Sequence, residues 1–258
     1  MGAPMLGALL RAGCDARGLD VRPVSEFGAL SGHVTTDVAQ FGAGLKTAIT
    51  VVRDIAQTDA LLFGPDGLLT HAPGLQTLII SSTLSPRYVL ALRDRVPAAI
   101  TLIDAPMSGA EVKAKSASLS FMTGGDDAAL KRCAPLFEAM GAHTHRMGAF
   151  GAGMQAKVLN NLLAASNTVM TRLVLDWADE AGLDEAALLA LIHTSSGQNW
   201  LASGFDEIEF ARKGFTSENT LGILKKDVES ALDAAPKAAD TTLPMLLAQM
   251  VGRLKPRP

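Results

Sequence analysis

Through the first 150 residues, short β-branched and aliphatic runs alternate with stretches whose apolar positions fall at helical spacing. Thr47–Val52 (TAITVV), Thr77–Ser82 (TLIISS), Ile100–Ile103 and Leu119–Thr123 (LSFMT) read as strands. Gly2–Arg11 and Asp126–Met140 read as helices, the second with Pro135 as a point of break or kink. Strands separated by helical segments imply parallel pairing and an α/β sheet. From Gly153 onward the β-branched alternation stops. Met154–Glu180 is a long amphipathic stretch without proline, and Glu185–Ile192 and Glu229–Ala234 continue in the same style. The change near Phe150–Gly153 predicts an α/β domain over residues 1–150 followed by an all-α domain over residues 151–258. The 258-residue length is sufficient for both.

Composition narrows the function classes. Hydrophobic residues make up 48% of the chain and aromatics only 5%, so the core is expected to be aliphatic. Mean hydropathy is high, at +0.23. No run reaches the roughly 18 apolar residues that span a bilayer, because Arg53, Arg93, Lys157 and Arg172 interrupt the best stretches. The excess of apolar residues fits an oligomer interface instead, in a homodimer or homotetramer. A net charge of −3, with no basic patch and no interleaved aromatics, argues against nucleic acid as a partner. The basic tail of Arg253, Lys255 and Arg257 reads as a solvated end. Cys14 and Cys133 stand far apart, which implies neither a disulfide framework nor a zinc site. His143 and His145 fit a strand edge or loop better than a metal site. No signal peptide is evident, and the cytoplasm is the expected compartment.

The start of the chain is unusual. In a dinucleotide-binding unit a strand comes first, then G-x-G-x-x-G, then a helix. Here Met1-Gly2-Ala3-Pro4-Met5 leads directly into a helical pattern, and only Gly2 stands where the third glycine would be. Alone, this fragment reads better as a plain N-terminal helix, with Pro4 well placed near its start. Asp20 follows Gly18-Leu19, a short strand end, 18 residues after Gly2. An acidic residue at that place accepts hydrogen bonds from ribose hydroxyls and repels a 2′-phosphate, although an Asp after a strand is often only a turn residue. Arg22, two residues on, blurs the choice between NAD and NADP.

Four later motifs follow in order. Ser81-Ser82-Thr83-Leu84-Ser85-Pro86 closes one strand, and Asp104-Ala105-Pro106-Met107-Ser108-Gly109 closes another. Gly151-Ala152-Gly153-Met154-Gln155-Ala156-Lys157-Val158-Leu159-Asn160-Asn161 opens the helical half, and Lys226-Asp227 lies farther on. In order and spacing they resemble the β-hydroxyacid dehydrogenase family, of the 3-hydroxyisobutyrate dehydrogenase type. Its patterns are S-T-x-x-P, D-A-P-V-S-G-G, G-x-G-x-x-x-K-x-x-N-N and K-D. The resemblance runs from Met1 to about Ala235. It implies a Rossmann-like domain joined through a long helix to an all-α domain, and an NAD- or NADP-dependent enzyme acting on a small carboxylate substrate. NAD is favoured through Asp20. By the same resemblance Lys157 is the catalytic lysine, Asn161 holds substrate beside it, and Ser108 and Gly109 bind the substrate carboxylate. Thr83 lies near the nicotinamide and Lys226 near the cofactor, with Gly2, Asp20, Val52, Arg53 and Gln57 completing the cofactor set.

The residue chemistry agrees with those roles. Lys157 and Asn161 are four apart and share a helix face. A lysine whose burial lowers its pKa can take or give a hydroxyl proton, and an amide on the same face can orient that hydroxyl. Without such burial Lys157 is an ordinary solvated lysine, Lys226-Asp227 a common helical pair, and Ser108-Gly109 a turn.

The chain departs from the family pattern in several places. The first strand and the first two glycines are missing, which is expected to leave a gap at the centre of the sheet and an upstream start. The segment between Asp20 and Thr47 is short, so the second Rossmann helix is expected to be clipped. Val52-Arg53 replaces Leu-Pro, Gln57 replaces an asparagine, and Ala110 replaces the second glycine of S-G-G, which narrows the substrate loop. The alternative is a catalytically inactive remnant that serves as a structural or interaction protein. Imine reductases share the fold but generally lack the lysine, and 6-phosphogluconate dehydrogenases carry a longer helical domain. Gln198, Asn199 and Trp200 are candidates for substrate specificity.

Overall fold

The structure, a computed structural model, describes residues 1–257. Two compact units emerge, Met1–Lys157 and Val158–Pro258. In the first unit the strands are β1 (Gly18–Leu19), β2 (Val34–Thr35), β3 (Thr47–Thr50), β4 (Thr77–Ile80), β5 (Thr101–Asp104), β6 (Met107–Ser108), β7 (Leu119–Gly124) and β8 (Gly141–Gly148). Its helices are α1 (Gly2–Arg11), α2 (Val38–Gly42), α3 (Ile55–Phe63), α4 (Leu68–His71), α5 (Pro86–Arg95), α6 (Ala110–Lys115) and α7 (Asp127–Met140). Helix α8 (Ala152–Glu180) begins here and continues into the second unit, which adds α9 (Glu185–Thr194), α10 (Trp200–Ser203), α11 (Thr220–Asp233) and α12 (Thr242–Val251).

The α/β unit and the helical unit match the expected class. The main sheet has six strands in the order β3-β4-β5-β7-β6, with β8 on β7. Strand β4 is buried on both faces, as parallel strands covered by helices are. Leu78 and Ile80 enter one apolar cluster with Leu62, Val89, Leu92 and Met154, while Ile79 enters another with Met5, Phe121 and Phe137. The period of two thus splits one four-residue strand between two cores. Truncating fully buried Ile79 to alanine would cost on the order of 2–5 kcal/mol.

Two expectations need amendment, and a third, the clipped helix, is met. The sheet is mixed: β3, β4 and β5 run parallel, but β7 is antiparallel to both β5 and β6. The connection from β6 to β7 holds only the six-residue α6, too little for a parallel crossover. Between β1 and β2 there is no full helix but a 3₁₀ stretch, Val24–His33, broken at Gly28 (φ +52°). Helix α7 runs through Pro135 without interruption, its Cys133, Phe137 and Met140 buried against the sheet. Strands β1 and β2 form a separate two-stranded parallel sheet beside the six-stranded one.

The helical unit packs around Val169, Leu175, Leu201, Phe205, Leu221 and Val228. The tail corrects a fourth expectation. Arg257 is not solvated: its side chain is 5% exposed and pairs with Asp176, Asp179 and Glu185 at 2.7–2.8 Å. Three carboxylates offset the loss of hydration that a lone buried cation would suffer. Among the described residues, no helix is long and apolar enough to cross a membrane.

Candidate functional site

Lys157 lies in the second turn of α8, and burial separates it from an ordinary solvated lysine. Only 7% of Lys157 is exposed, and the same holds for Asn161 four residues on. The Asn161 amide is oriented: Nδ2 donates to Asp227 Oδ2 at 2.5 Å. Asp227 is itself buried in α11, and Lys226 Nζ lies 3.1 Å from its Oδ1 as an ion pair. One amide hydrogen of Asn161 is thus committed, which fixes the plane of the group and leaves the second for another acceptor.

The start of α8 is set by Asp104, at the carboxyl end of β5. Its carboxylate is fully buried and accepts hydrogen bonds from Gly151 N (2.7 Å) and Met154 N (2.6 Å). Burial pushes this carboxyl up to about 6, against the pull of the surrounding N–H groups. The backbone can approach so closely only because Gly124 and Gly153 lack Cβ: one on Gly124 would strike Asp104 Oδ1, and one on Gly153 the Met122 carbonyl oxygen. Met154 Sδ in turn accepts from Leu84 N at 3.4 Å, tying α8 to the loop that carries Thr83.

That loop, Ser81–Ser85, leaves the carboxyl end of β4, where open parallel sheets bind ligands. Ser85 caps α5 and Pro86 occupies its first turn. The Oγ atoms of Ser81 and Ser82 are buried with no hydrogen-bond partner among the described residues. Two hydroxyls left so at this place fit a ligand rich in polar groups. Helix α1 also starts with no side-chain cap and no acidic residue in its first turn, as suits an anion. Both observations fit a dinucleotide.

The remaining predicted residues fall in separate places. Gly2, at the start of α1, faces Val51, next to Val52. Arg53 N donates to Gln57 Oε1 at 3.0 Å, and Gln57 N to Asp54 Oδ1 at 2.8 Å, so these three form one cap of α3. The Asp20 carboxylate is not free: Arg22 donates to it from N, Nε and Nη2 at 3.0–3.2 Å. Partial burial raises the Asp20 carboxyl, but the hydrogen bonds and charge of Arg22 outweigh this and hold it below the usual range. Ser108 ends β6, half-buried, and Gly109 follows at φ +131°, where a Cβ would strike the Lys113 side chain. Ala110, in place of a glycine, takes φ +55°, a strained value for a residue with a side chain. Asn199 is engaged structurally as the cap of α10.

Sequence reasoning overlooked Ser81, Ser82 and Asp104 as functional candidates. Strand-end position marked all three, but their burial was invisible in the sequence.

Comparison with known proteins gives a consistent result. A family model for the NAD-binding domain of 6-phosphogluconate dehydrogenase matches residues 1–149, and one described as NAD-binding of NADP-dependent 3-hydroxyisobutyrate dehydrogenase matches residues 151–255. The chain is 32% identical to an NAD-dependent L-serine dehydrogenase of Pseudomonas aeruginosa, over 98% of this chain and 88% of that one. It is 31% identical to a 3-hydroxyisobutyrate dehydrogenase of the same organism, over 95% and 85%. Among solved structures, a Mycobacterium tuberculosis 3-hydroxyisobutyrate dehydrogenase with L-serine superposes with a TM-score of 0.79 at 26% identity, covering 99% of this chain and 92% of that one. A Salmonella typhimurium 3-hydroxyisobutyrate dehydrogenase has the same fold, with a TM-score of 0.82 at 22% identity over 99% and 93%.

Proposed function

Since the chain belongs to the β-hydroxyacid dehydrogenase family and is an NAD- or NADP-dependent oxidoreductase of small hydroxyacids, we propose that Lys157 is the general acid–base of its reaction. The observation that carries this is a buried lysine one helical turn before a buried, oriented asparagine. When bound, a nicotinamide cofactor would provide the hydride donor or acceptor for the substrate carbinol carbon. Lys157 Nζ takes the hydroxyl proton on oxidation and returns it on reduction. The remaining amide hydrogen of Asn161 orients the substrate oxygen. Ser108 and the backbone at Gly109 hold the carboxylate, so the substrate is a small 3-hydroxyacid or its semialdehyde.

Thr83, with Ser81 and Ser82 behind it, serves the nicotinamide end of the cofactor. Gly2, Val52, Arg53, Gln57 and Lys226 complete the cofactor set. Asp20 faces the ribose hydroxyls and favours NAD, with Arg22 setting how the carboxylate is presented. We assign residues 1–150 to the cofactor domain and residues 151–258 to the substrate and dimerisation domain. Exposed Leu159, Leu163, Met170 and Trp177 recur along one face of α8 and support a homodimer or homotetramer. Both cysteines are free thiols, in keeping with the cytoplasm.

Titration with NADH and NADPH, followed by nicotinamide fluorescence, tests the cofactor assignment. Saturable binding, tighter for NADH, is expected. Failure to bind either would favour the catalytically inactive, structural role instead.

A further inference from the structure

We propose that Asp104 is a positioning residue, the buried joint that holds the turn bearing Lys157 in register with the Thr83 loop and the Ser108–Gly109 segment. The proposal rests on the assignment of Lys157 made above. Three observations converge on it. First, the opening N–H groups of any helix have no acceptor within the helix, and at α8 two donors at its start, Gly151 N and Met154 N, end on opposite oxygens of one carboxylate. Second, Met154 lies three residues before Lys157 and its sulfur accepts from Leu84 N, beside Thr83. Third, Asp104 lies four residues before Ser108, on the strand that leads into the substrate segment, and its backbone pairs with Gly124.

A neutral cap would satisfy the same donors without placing a charge in a fully buried position. An anion beneath the positive end of α8 does more: it offsets the helix dipole where the lysine must exchange its proton. A Cβ on either Gly124 or Gly153 would crowd the Asp104 carboxylate.

The test has two parts. Amide hydrogen exchange on the wild-type chain is independent of turnover: Gly151 and Met154 should be protected at least about a hundredfold if the carboxylate holds them, and exchange at unprotected rates would overturn the proposal. Next, steady-state kinetics compare wild type with Asp104→Asn, which keeps the shape and one acceptor. We expect kcat to fall roughly tenfold to a hundredfold, the KM for cofactor to change less than about twofold, and the acid limb of the kcat profile to move to lower pH as the lysine loses a stabilising anion. An unchanged kcat and an unchanged pH profile would reduce Asp104 to a structural cap and overturn the proposal. If the amide variant does not fold, Gly153→Ala, which displaces the same turn with Asp104 intact, is read by the same criteria. If wild type turns over no hydroxyacid, the dehydrogenase assignment fails, while the exchange data still decide whether Asp104 holds the turn.

Discussion

The two ends of α8 are held by opposite chemistry. Its first turn rests on a buried anion, Asp104, which accepts from the backbone N–H groups of Gly151 and Met154. Farther along, two buried cations hold the helix. Arg172 donates to the carbonyl oxygens of Ala211 (2.7 Å), Lys213 (3.1 Å) and Lys255. Arg257 reaches Asp176, Asp179, Glu185 and the Leu175 carbonyl. At Arg257 burial lowers the guanidinium, yet Glu185 and Asp179 outweigh it and the net direction is upward. At Asp104 burial outweighs the hydrogen bonds from backbone N–H groups, and the net direction is again upward. The helical end is therefore built for stability, whereas the end near Lys157 retains a charge that burial disfavours. Arrangements of that kind are expected where chemistry, not stability, sets the requirement.

The largest break of this contrast should come from the helical end. Arg172→Ala leaves three carbonyls without their shared donor and should lower stability by roughly 3–5 kcal/mol, read as a shift in the urea midpoint. Cofactor fluorescence should meanwhile be retained below the transition.

The Asp104 end should respond to pH in a direction that can be derived. Its folded pKa, about 6, lies above the unfolded value of 3.8, so its contribution to stability is fully present below pH 3.8 and is lost as pH rises through 6. Between pH 4 and 7.5 the wild type should therefore lose about 2.5 kcal/mol relative to Asp104→Asn. Parallel thermal or urea series on the two proteins would measure this. Equal losses would mean that the carboxyl titrates as a solvated group.

The smallest effect concerns Ala110. Glycine tolerates its φ of +55° without strain, so Ala110→Gly should raise stability by up to about 1 kcal/mol. Because the change also widens the substrate segment, KM for larger 3-hydroxyacids should fall while kcat changes little. A drop in stability would show that the strain is absent.

Much of this was legible in the sequence because it is periodic or local. The strand from Thr77 and the helix from Gly2 are set by spacing, and Lys157 with Asn161 by helical repeat. In the structure Asp54, Ser85, Asp126 and Asp184 cap their helices, a local signal that the sequence analysis left unread. The rest of what escaped is non-local. Asp104 finds its partners 47 and 50 residues away, and Arg257 finds Asp176 81 residues away. No local pattern distinguishes such a carboxylate from a turn residue, or such an arginine from a solvated tail. The antiparallel β7 was likewise hidden, because strand direction follows from the length of the connection and not from the strand's own residues.

The most direct test of the central claim is NAD- and NADP-linked oxidation of L-serine and 3-hydroxyisobutyrate by the wild type and by Lys157→Ala, with NADH binding followed in both. The account predicts turnover by the wild type, a loss in kcat of roughly 10²–10⁴-fold in the variant, and NADH affinity nearly unchanged. Turnover by Lys157→Ala at the wild-type rate would contradict it.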